Sequence, residues 1–132
     1  MVTDPCLAIP DHTAPRLAVA REGEATRVMV LNDTLTLQQI PALQTRLEAI
    51  TDGLPRPRII LDLRSCHHMP TTAIGVFVSL HARIAHQNGE LRIVTDVPRI
   101  HELFKITRLD RLFHLHHSVA SAAESLHAVT SY

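Results

Sequence analysis

Residues 58–75 read RIILDLRSCHHMPTTAIG. The first part of this run is nearly all apolar and contains two β-branched isoleucines, which is typical of a central strand covered on both faces. We predict a buried strand over residues 58–63 and a helix over residues 72–87, where apolar residues recur every three or four positions. The polar loop between them, residues 64–70, therefore joins a strand to a helix.

Strand and helix patterns alternate on both sides of this run. Upstream, two β-type segments flank the turn signal Glu22-Gly23-Glu24 and predict an antiparallel hairpin, and the capping-box spacing of Thr36 and Gln39 begins a helix. The predicted strands are residues 17–20, 27–31, 58–63, 91–94 and 112–115, and the predicted helices are residues 37–50, 72–87, a segment from Pro98, and 118–128. This order, ββαβαβαβα, predicts an α/β domain in which right-handed crossovers place four helices over a mixed β-sheet.

Length and composition indicate one globular domain. The chain has 132 residues, of which 45% are hydrophobic and 20% charged, enough for a single core. Residues 1–15 are rich in Pro, Asp and Thr and predict a flexible N-terminal tail, which leaves residues 16–132 as the domain. Thirteen basic and 13 acidic residues balance, so the charge distribution favours neither nucleic acid nor an anionic membrane as a partner.

Cysteine usage and hydropathy indicate where the protein acts. Cys6 and Cys66 lie far apart with no CxxC motif, which is typical of a reduced cytoplasmic protein. The longest apolar run, residues 73–80, is much shorter than the roughly 20 residues of a membrane span. The first residues lack the basic and apolar regions of a secretion signal. We therefore expect a cytoplasmic protein.

Two segments of the sequence resemble the STAS domain, the family of bacterial anti-sigma factor antagonists and of the cytoplasmic tails of sulfate transporters. Residues 59–75 are similar to a family strand that reads like VVLDL followed by a loop and helix that read like FIDSSGLG. Residues 99–113, RIHELFKITRLDRLF, are similar to the family's VRRLLELTGLDRLF. The resemblance covers about residues 26–128 and implies a STAS-like mixed sheet.

The resemblance also implies a function. In the family, the unphosphorylated antagonist binds an anti-sigma factor that is a serine/threonine kinase, and this frees a sigma factor for transcription. Phosphorylation of the first hydroxyl residue of the DSSG string breaks the complex, and a serine/threonine phosphatase resets it. On this chain that position is Thr71, and Thr72 matches the second hydroxyl. A hydroxyl at a helix entry can also cap exposed N–H groups, where a phosphate is tolerated.

The expected partner-binding residues surround these two threonines. They are Met69, Pro70, Thr71, Thr72 and Ile74, together with Asp33 and Thr36 near the entry to the first helix, which align with the family's GELD stretch. Pro70 stands where the family has Asp, Ala73 where it has the first Gly, and Arg108 where it has the Gly of TGL. A constitutive STAS-like scaffold or accessory subunit without phosphorylation, bound to a transporter complex or to a second copy in a homodimer, is the alternative.

Enzyme and metal chemistry have weaker support in the sequence. Cys66 beside His67 and His68 is the only local nucleophile–base pairing, and sequence neighbours rarely adopt the geometry of a catalytic pair. The ten histidines include His114, His116 and His117, but adjacent residues of a strand point to opposite faces and do not readily share one zinc ion. We expect no enzymatic activity, no cofactor and no metal.

Overall fold

The computed structural model of the protein describes residues 14–113 and 115–130, and the side chains up to residue 126. The predicted element order is confirmed. The strands are β1 (Leu17–Glu22), β2 (Ala25–Val30), β3 (Arg58–Asp62), β4 (Glu90–Val94) and β5 (Leu115–His116), and the helices are α1 (Ile40–Asp52), α2 (Thr71–His86), α3 (Pro98–Ile106) and α4 (Val119–Thr130). A short 3₁₀ turn, Leu37–Gln39, leads into α1.

The five strands form one mixed sheet in the order β1-β2-β3-β4-β5. The hairpin strand β1 lies antiparallel to β2 at one edge, and the remaining neighbours are parallel. Gly23 supplies the positive φ, 64°, that the tight hairpin turn requires. The loops that follow β2 and β3 therefore leave the sheet at the same end, because parallel strands have their carboxyl ends on the same side.

Helices cover both faces of the sheet. The main core joins residues of β2 and β3, such as Val28 and Leu61, to buried side chains of α1, α2 and α3, among them Leu43, Phe77 and Phe104. A second, smaller core lies on the opposite face, where Ile60 and Val94 contact α4 through Val119, Ala122 and Leu126. The central strand β3 is thus covered on both faces, as its continuous apolar sequence predicts.

The fifth strand is shorter and later than predicted. Residues 112–115 were expected to form it, but among the described residues it comprises Leu115 and His116, while residues 107–112 form turns. Phe113 points into the main core and contacts the ring of Phe104 edge-on, with ring centroids 5.7 Å apart. A short apolar run does not distinguish a strand from a turn that buries a side chain, and here Phe113 contributes to the core rather than to the sheet.

Asn88 and Gly89 have different roles where α2 ends. Asn88, with φ of 59°, adopts the left-handed conformation that ends the helix, whereas the sequence pattern assigned this role to Asn88 and Gly89 jointly. Gly89 is required for a different reason, because a β-carbon there would lie 2.0 Å from the backbone oxygen of Pro57 and 2.9 Å from Ile84 Cγ2. The chain at the start of β4 therefore packs directly on the loop before β3.

We expect Gly89→Ala to lower the free energy of unfolding by about 1–3 kcal/mol, because the added methyl group displaces backbone. Gly75→Ala is the matched control, since a β-carbon at Gly75 meets nothing within 4 Å and alanine stabilises a helix interior by roughly 0.5–1 kcal/mol over glycine. The chain contains no Trp, so urea unfolding followed by far-UV circular dichroism is the suitable measurement. Equal stabilities for the two variants contradict the prediction.

Candidate functional site

The loop between β3 and α2 ends at Pro70, which fixes where the helix begins. Pro70 is the N-cap of α2, with φ −75° and ψ 158°. Proline has no N–H to donate and biases the preceding residue, Met69, towards extended geometry. Thr71 is therefore the first helical residue, one position earlier than predicted, and the first turn of α2 faces the loop end of the sheet.

Thr71 and Thr72 are both exposed. The sequence predicted that a hydroxyl at this helix entry caps the backbone N–H groups, but Pro70 occupies the cap position and no side chain caps the helix. Among the described residues, neither threonine hydroxyl has a hydrogen-bond partner. The two hydroxyls are thus accessible on the positive end of the helix dipole, where an added phosphate is stabilised locally.

Hydrogen bonds connect the loop after β2 to the loop after β3. The carbonyl oxygen of Asp33 accepts hydrogen bonds from the N–H groups of His67 at 2.8 Å and His68 at 3.1 Å, and Leu35 N–H donates to the carbonyl of His68 at 2.9 Å. The Asp33 carboxylate also lies 2.7 Å from Nδ1 of His67. These bonds hold exposed Asp33 beside the loop that leads to Thr71.

Thr36 lies further along the first of these loops. Its N–H donates to Oε1 of Gln39 at 2.9 Å. This is one of the two hydrogen bonds of the predicted capping box, the one in which the N3 side chain accepts from the N-cap backbone. The Thr36 side chain is exposed, whereas Gln39 is buried. Thr36 therefore lies at the surface of the segment that enters α1.

An ion pair between Asp62 and Arg64 lies where β3 ends and the β3–α2 loop begins. The Asp62 carboxylate accepts from Nε of Arg64 at 2.9 Å, from its Nη2 at 2.8 Å and from its backbone N–H at 3.1 Å. Burial alone raises the pKa of Asp62, but hydrogen bonds from the side chain and backbone of Arg64, together with its charge, hold that pKa below its usual range. Asp62, the last residue of β3, is thus an ionised residue that shapes the loop.

Cys66 has the surroundings of a structural residue. It is buried, its thiol contacts the backbone oxygen of His68 at 3.4 Å, and burial raises its pKa. The nearby His67 side chain pairs with Asp33 instead. Because a nucleophilic cysteine needs an accessible thiolate and a base, this arrangement does not favour hydrolysis at Cys66.

We expect Cys66 to react with Ellman's reagent about 100-fold more slowly in the native protein than in urea, because the thiol is buried and its raised pKa keeps it protonated. The measurement uses a Cys6→Ser variant, which leaves Cys66 as the only cysteine. In the native protein, the rate of the reaction between Cys66 and Ellman's reagent is expected to keep rising with pH up to about 8.5 without a plateau, because burial raises the pKa of the thiol. A native rate equal to that in urea contradicts this account.

The histidines do not assemble a metal site in the part of the chain that the structure describes. No group of three or more His, Cys, Asp or Glu side chains there is suited to holding a metal ion. His116 Nδ1 lies 2.8 Å from Oγ of Ser121, while the ring of His117 stacks on His101 with centroids 5.2 Å apart. His114 and Cys6 lie outside the described residues.

An open groove of about 590 Å³ extends from the β3–α2 loop along α3. Met69, Leu103 and Ile106 give it an apolar wall. At its polar end, Nη1 of Arg99 lies 3.3 Å from Nδ1 of His68. Sequence reasoning missed this groove, although Ile106 carried a signal: it is an apolar residue outside the buried stripe of α3, and it is 70% exposed.

The structure brings most of the predicted site residues to one end of the sheet. Thr71 and Thr72 are exposed and Met69 and Pro70 are half-buried. Ile74 is the exception, because it is 3% exposed and belongs to the main core. Its side chain is therefore not available to a partner, and the expectation that it binds one is wrong for this conformation.

The comparisons with known proteins agree with this architecture. The family model described as the STAS domain matches residues 18–122, which is most of the chain. The chain belongs to the STAS domain family. Within residues 14–113 and 115–130, the STAS domain has no helix with the length and hydropathy of a membrane span.

Solved structures share the fold of this STAS domain at low sequence identity. An anti-sigma factor antagonist from Mycobacterium paratuberculosis is 16% identical, with a TM-score of 0.76 over 89% of this chain and 98% of the other. A STAS domain protein from Planctomyces limnophilus is 16% identical, with a TM-score of 0.75 over 83% and 96%. SpoIIAA, an anti-sigma factor antagonist in its unphosphorylated form, is 9% identical, with a TM-score of 0.68 over 89% and 98%. No curated protein sequence matches the chain significantly.

Proposed function

We propose that this STAS domain is an anti-sigma factor antagonist that acts in the cytoplasm. It binds an anti-sigma factor with serine/threonine kinase activity and thereby frees a sigma factor for transcription. The observation that carries the proposal is the position of Thr71, an exposed hydroxyl in the first turn of α2. The domain is a binding protein in this proposal, and the catalytic groups belong to its partner.

The proposed contact surface combines two loops and a helix end. Met69, Pro70, Thr71 and Thr72 form its centre, and Asp33 and Thr36 form its flank. The hydrogen bonds between Asp33 and the His67-His68 backbone support a fixed geometry for this surface. A preformed surface binds with a smaller loss of conformational entropy than a flexible loop does.

Phosphorylation of Thr71 is the proposed switch. The partner transfers the γ-phosphoryl group of ATP to Thr71 Oγ1, the bond to the β-phosphate breaks, ADP leaves and a base of the kinase takes the hydroxyl proton. The phosphate adds about −1.5 to −2 charges at pH 7. At the start of α2 this charge is tolerated by the fold, but in the interface it disrupts binding by repulsion and desolvation. A serine/threonine phosphatase restores the binding form.

The test is phosphorylation by purified anti-sigma kinases with ATP, followed by intact and peptide mass spectrometry. One phosphate on Thr71, absent from Thr71→Ala and retained in Thr72→Ala, together with loss of kinase binding, is the expected result. Phosphate on Thr72 alone contradicts the assignment to Thr71. Absence of both binding and phosphate transfer with every kinase tested contradicts the antagonist role.

A second candidate is a constitutive STAS scaffold without phosphorylation. Pro70 precedes Thr71, and no carboxylate among the described residues is hydrogen-bonded to either threonine hydroxyl to orient it. Under this alternative the same surface binds a partner tightly, or a second copy in a homodimer, and no phosphate is transferred. Light scattering of the purified protein measures the homodimer directly.

A further inference from the structure

The turn that follows α3 contains an arginine in a strained conformation. Arg108 has a φ of 62°, in the left-handed region, where a β-carbon meets steric resistance and glycine is favoured. Arg108 N–H donates to the carbonyl of Lys105 at 3.0 Å, and Leu109 N–H donates to Phe104 at 2.9 Å, so the turn is fixed by the helix end. Strained residues cluster at functional sites. The Arg108 side chain is exposed and is therefore accessible to a partner.

Arg108 belongs to a cluster of exposed positive charges, the basic end of α3, defined by Lys105, Arg108 and Arg111. The three residues line an open depression of about 670 Å³ in which Asp110 supplies the single carboxylate. Within the described part of the chain, none of the three forms an ion pair. Five other arginines pair with acidic side chains, namely Arg27, Arg58, Arg64, Arg83 and Arg92.

An apolar surface adjoins the basic end of α3. Ile106, next to Lys105 in sequence, is 70% exposed. It lines the groove of about 590 Å³ that extends along α3 past Leu103 to Met69. Arg99 and Glu102 also line this groove. An apolar groove beside positive charges that form no ion pair among the described residues fits a segment that has an apolar side chain followed by carboxylates.

We propose that the basic end of α3 docks an acidic segment of a protein partner, with an apolar side chain of that segment in the groove at Leu103 and Ile106. Charge complementarity of this kind increases the association rate and selects the partner. The net charge of the chain is zero, so the attraction is local and salt screens it. The basic end of α3 does not include Thr71, although the groove reaches Met69 of the proposed contact surface, and the docking does not require that the partner be an anti-sigma factor.

The first test uses a labelled peptide with two leucines followed by four glutamates, and the same peptide with four glutamines. Fluorescence anisotropy at 50 mM NaCl is expected to give at least about 10-fold tighter binding of the glutamate peptide, and binding weakens several-fold by 300 mM NaCl. NMR shift changes are expected at residues 105–111. Equal affinity for both peptides overturns the proposal.

Charge-reversal variants localise the effect. The variant K105E/R108E/R111E is expected to lose at least about 10-fold in affinity for the glutamate peptide. The control, R21E/R46E/R56E, makes the same change of net charge at exposed arginines elsewhere and is expected to change affinity less than about 2-fold. Equal losses in the two variants overturn the proposal, as does self-association of the wild type that the first variant abolishes, since a second copy is then the occupant.

Arg108→Gly distinguishes the contribution of the Arg108 side chain to binding from the effect of backbone strain on stability. Glycine relieves the left-handed strain, so the melting temperature is expected to rise by about 3 °C while affinity for the glutamate peptide falls about 3-fold. Unchanged affinity in this variant contradicts a docking role for Arg108. If anti-sigma kinases fail to bind the wild type but the peptide result holds, the antagonist role fails and the docking surface stands.

Discussion

Thr71→Glu is expected to weaken binding of the anti-sigma kinase by about 100-fold, which corresponds to roughly 2.7 kcal/mol of binding free energy. The carboxylate imitates part of the charge of a phosphate in the centre of the proposed contact surface, where an unpaired charge is costly to desolvate. The fold is expected to remain intact, because Thr71 is exposed in the first turn of α2, where the helix dipole favours a negative charge. Isothermal titration calorimetry measures the affinity, and circular dichroism measures the melting temperature.

Thr45→Glu is the matched control for this experiment. Thr45 is an exposed threonine of α1 whose hydroxyl donates to the carbonyl of Pro41 at 3.0 Å, outside the proposed contact surface. We expect its affinity for the kinase to stay within about 2-fold of wild type, as is usual for a charge outside an interface. Similar losses in both variants imply a general charge effect and contradict a specific role for Thr71.

Phe104→Ala is expected to lower the free energy of unfolding by about 3–5 kcal/mol, the usual cost of deleting a buried aromatic ring. Phe104 is fully buried and stacks on Phe77 with centroids 6.5 Å apart, while Phe113 contacts it edge-on. Its ring therefore joins α3 to α2 and to the turn that carries Arg108. Urea unfolding followed by circular dichroism gives the free energy of the variant.

Leu37→Ala provides the comparison for the loss of an apolar side chain. Leu37 is 66% exposed, so its truncation is expected to change stability by less than about 0.5 kcal/mol. A loss below about 1 kcal/mol for Phe104→Ala means that the core reorganises around the missing ring. That result contradicts the inference that the contacts of Phe104 with Phe77 and Phe113 stabilise the packing of α3.

Much of the architecture is readable from local patterns. The apolar run of β3, the helical spacing in α1 and α2 and the turn at Gly23 each depend on neighbouring residues, and their order limits the topology to a mixed sheet with crossover helices. The start of α2 was predicted to within one residue, but the position of Pro70 as the N-cap was not. Residues 112–115 were misassigned because a short apolar run fits both a strand and a buried turn.

The assembly of the site depends on contacts between residues distant in sequence. The pairing of Asp33 with His67 follows from the parallel register of β2 and β3, and the burial of Ile74 follows from the packing of α2 on the sheet. The strained turn at Arg108 and the groove beside Ile106 likewise require the position of α3. Periodicity specifies which residues form a helix or strand, whereas burial and proximity are set by how those elements pack. The fold therefore followed from the sequence, and the resemblance to the STAS family pointed to Thr71. The arrangement of the loops around Thr71 followed only from the packed structure.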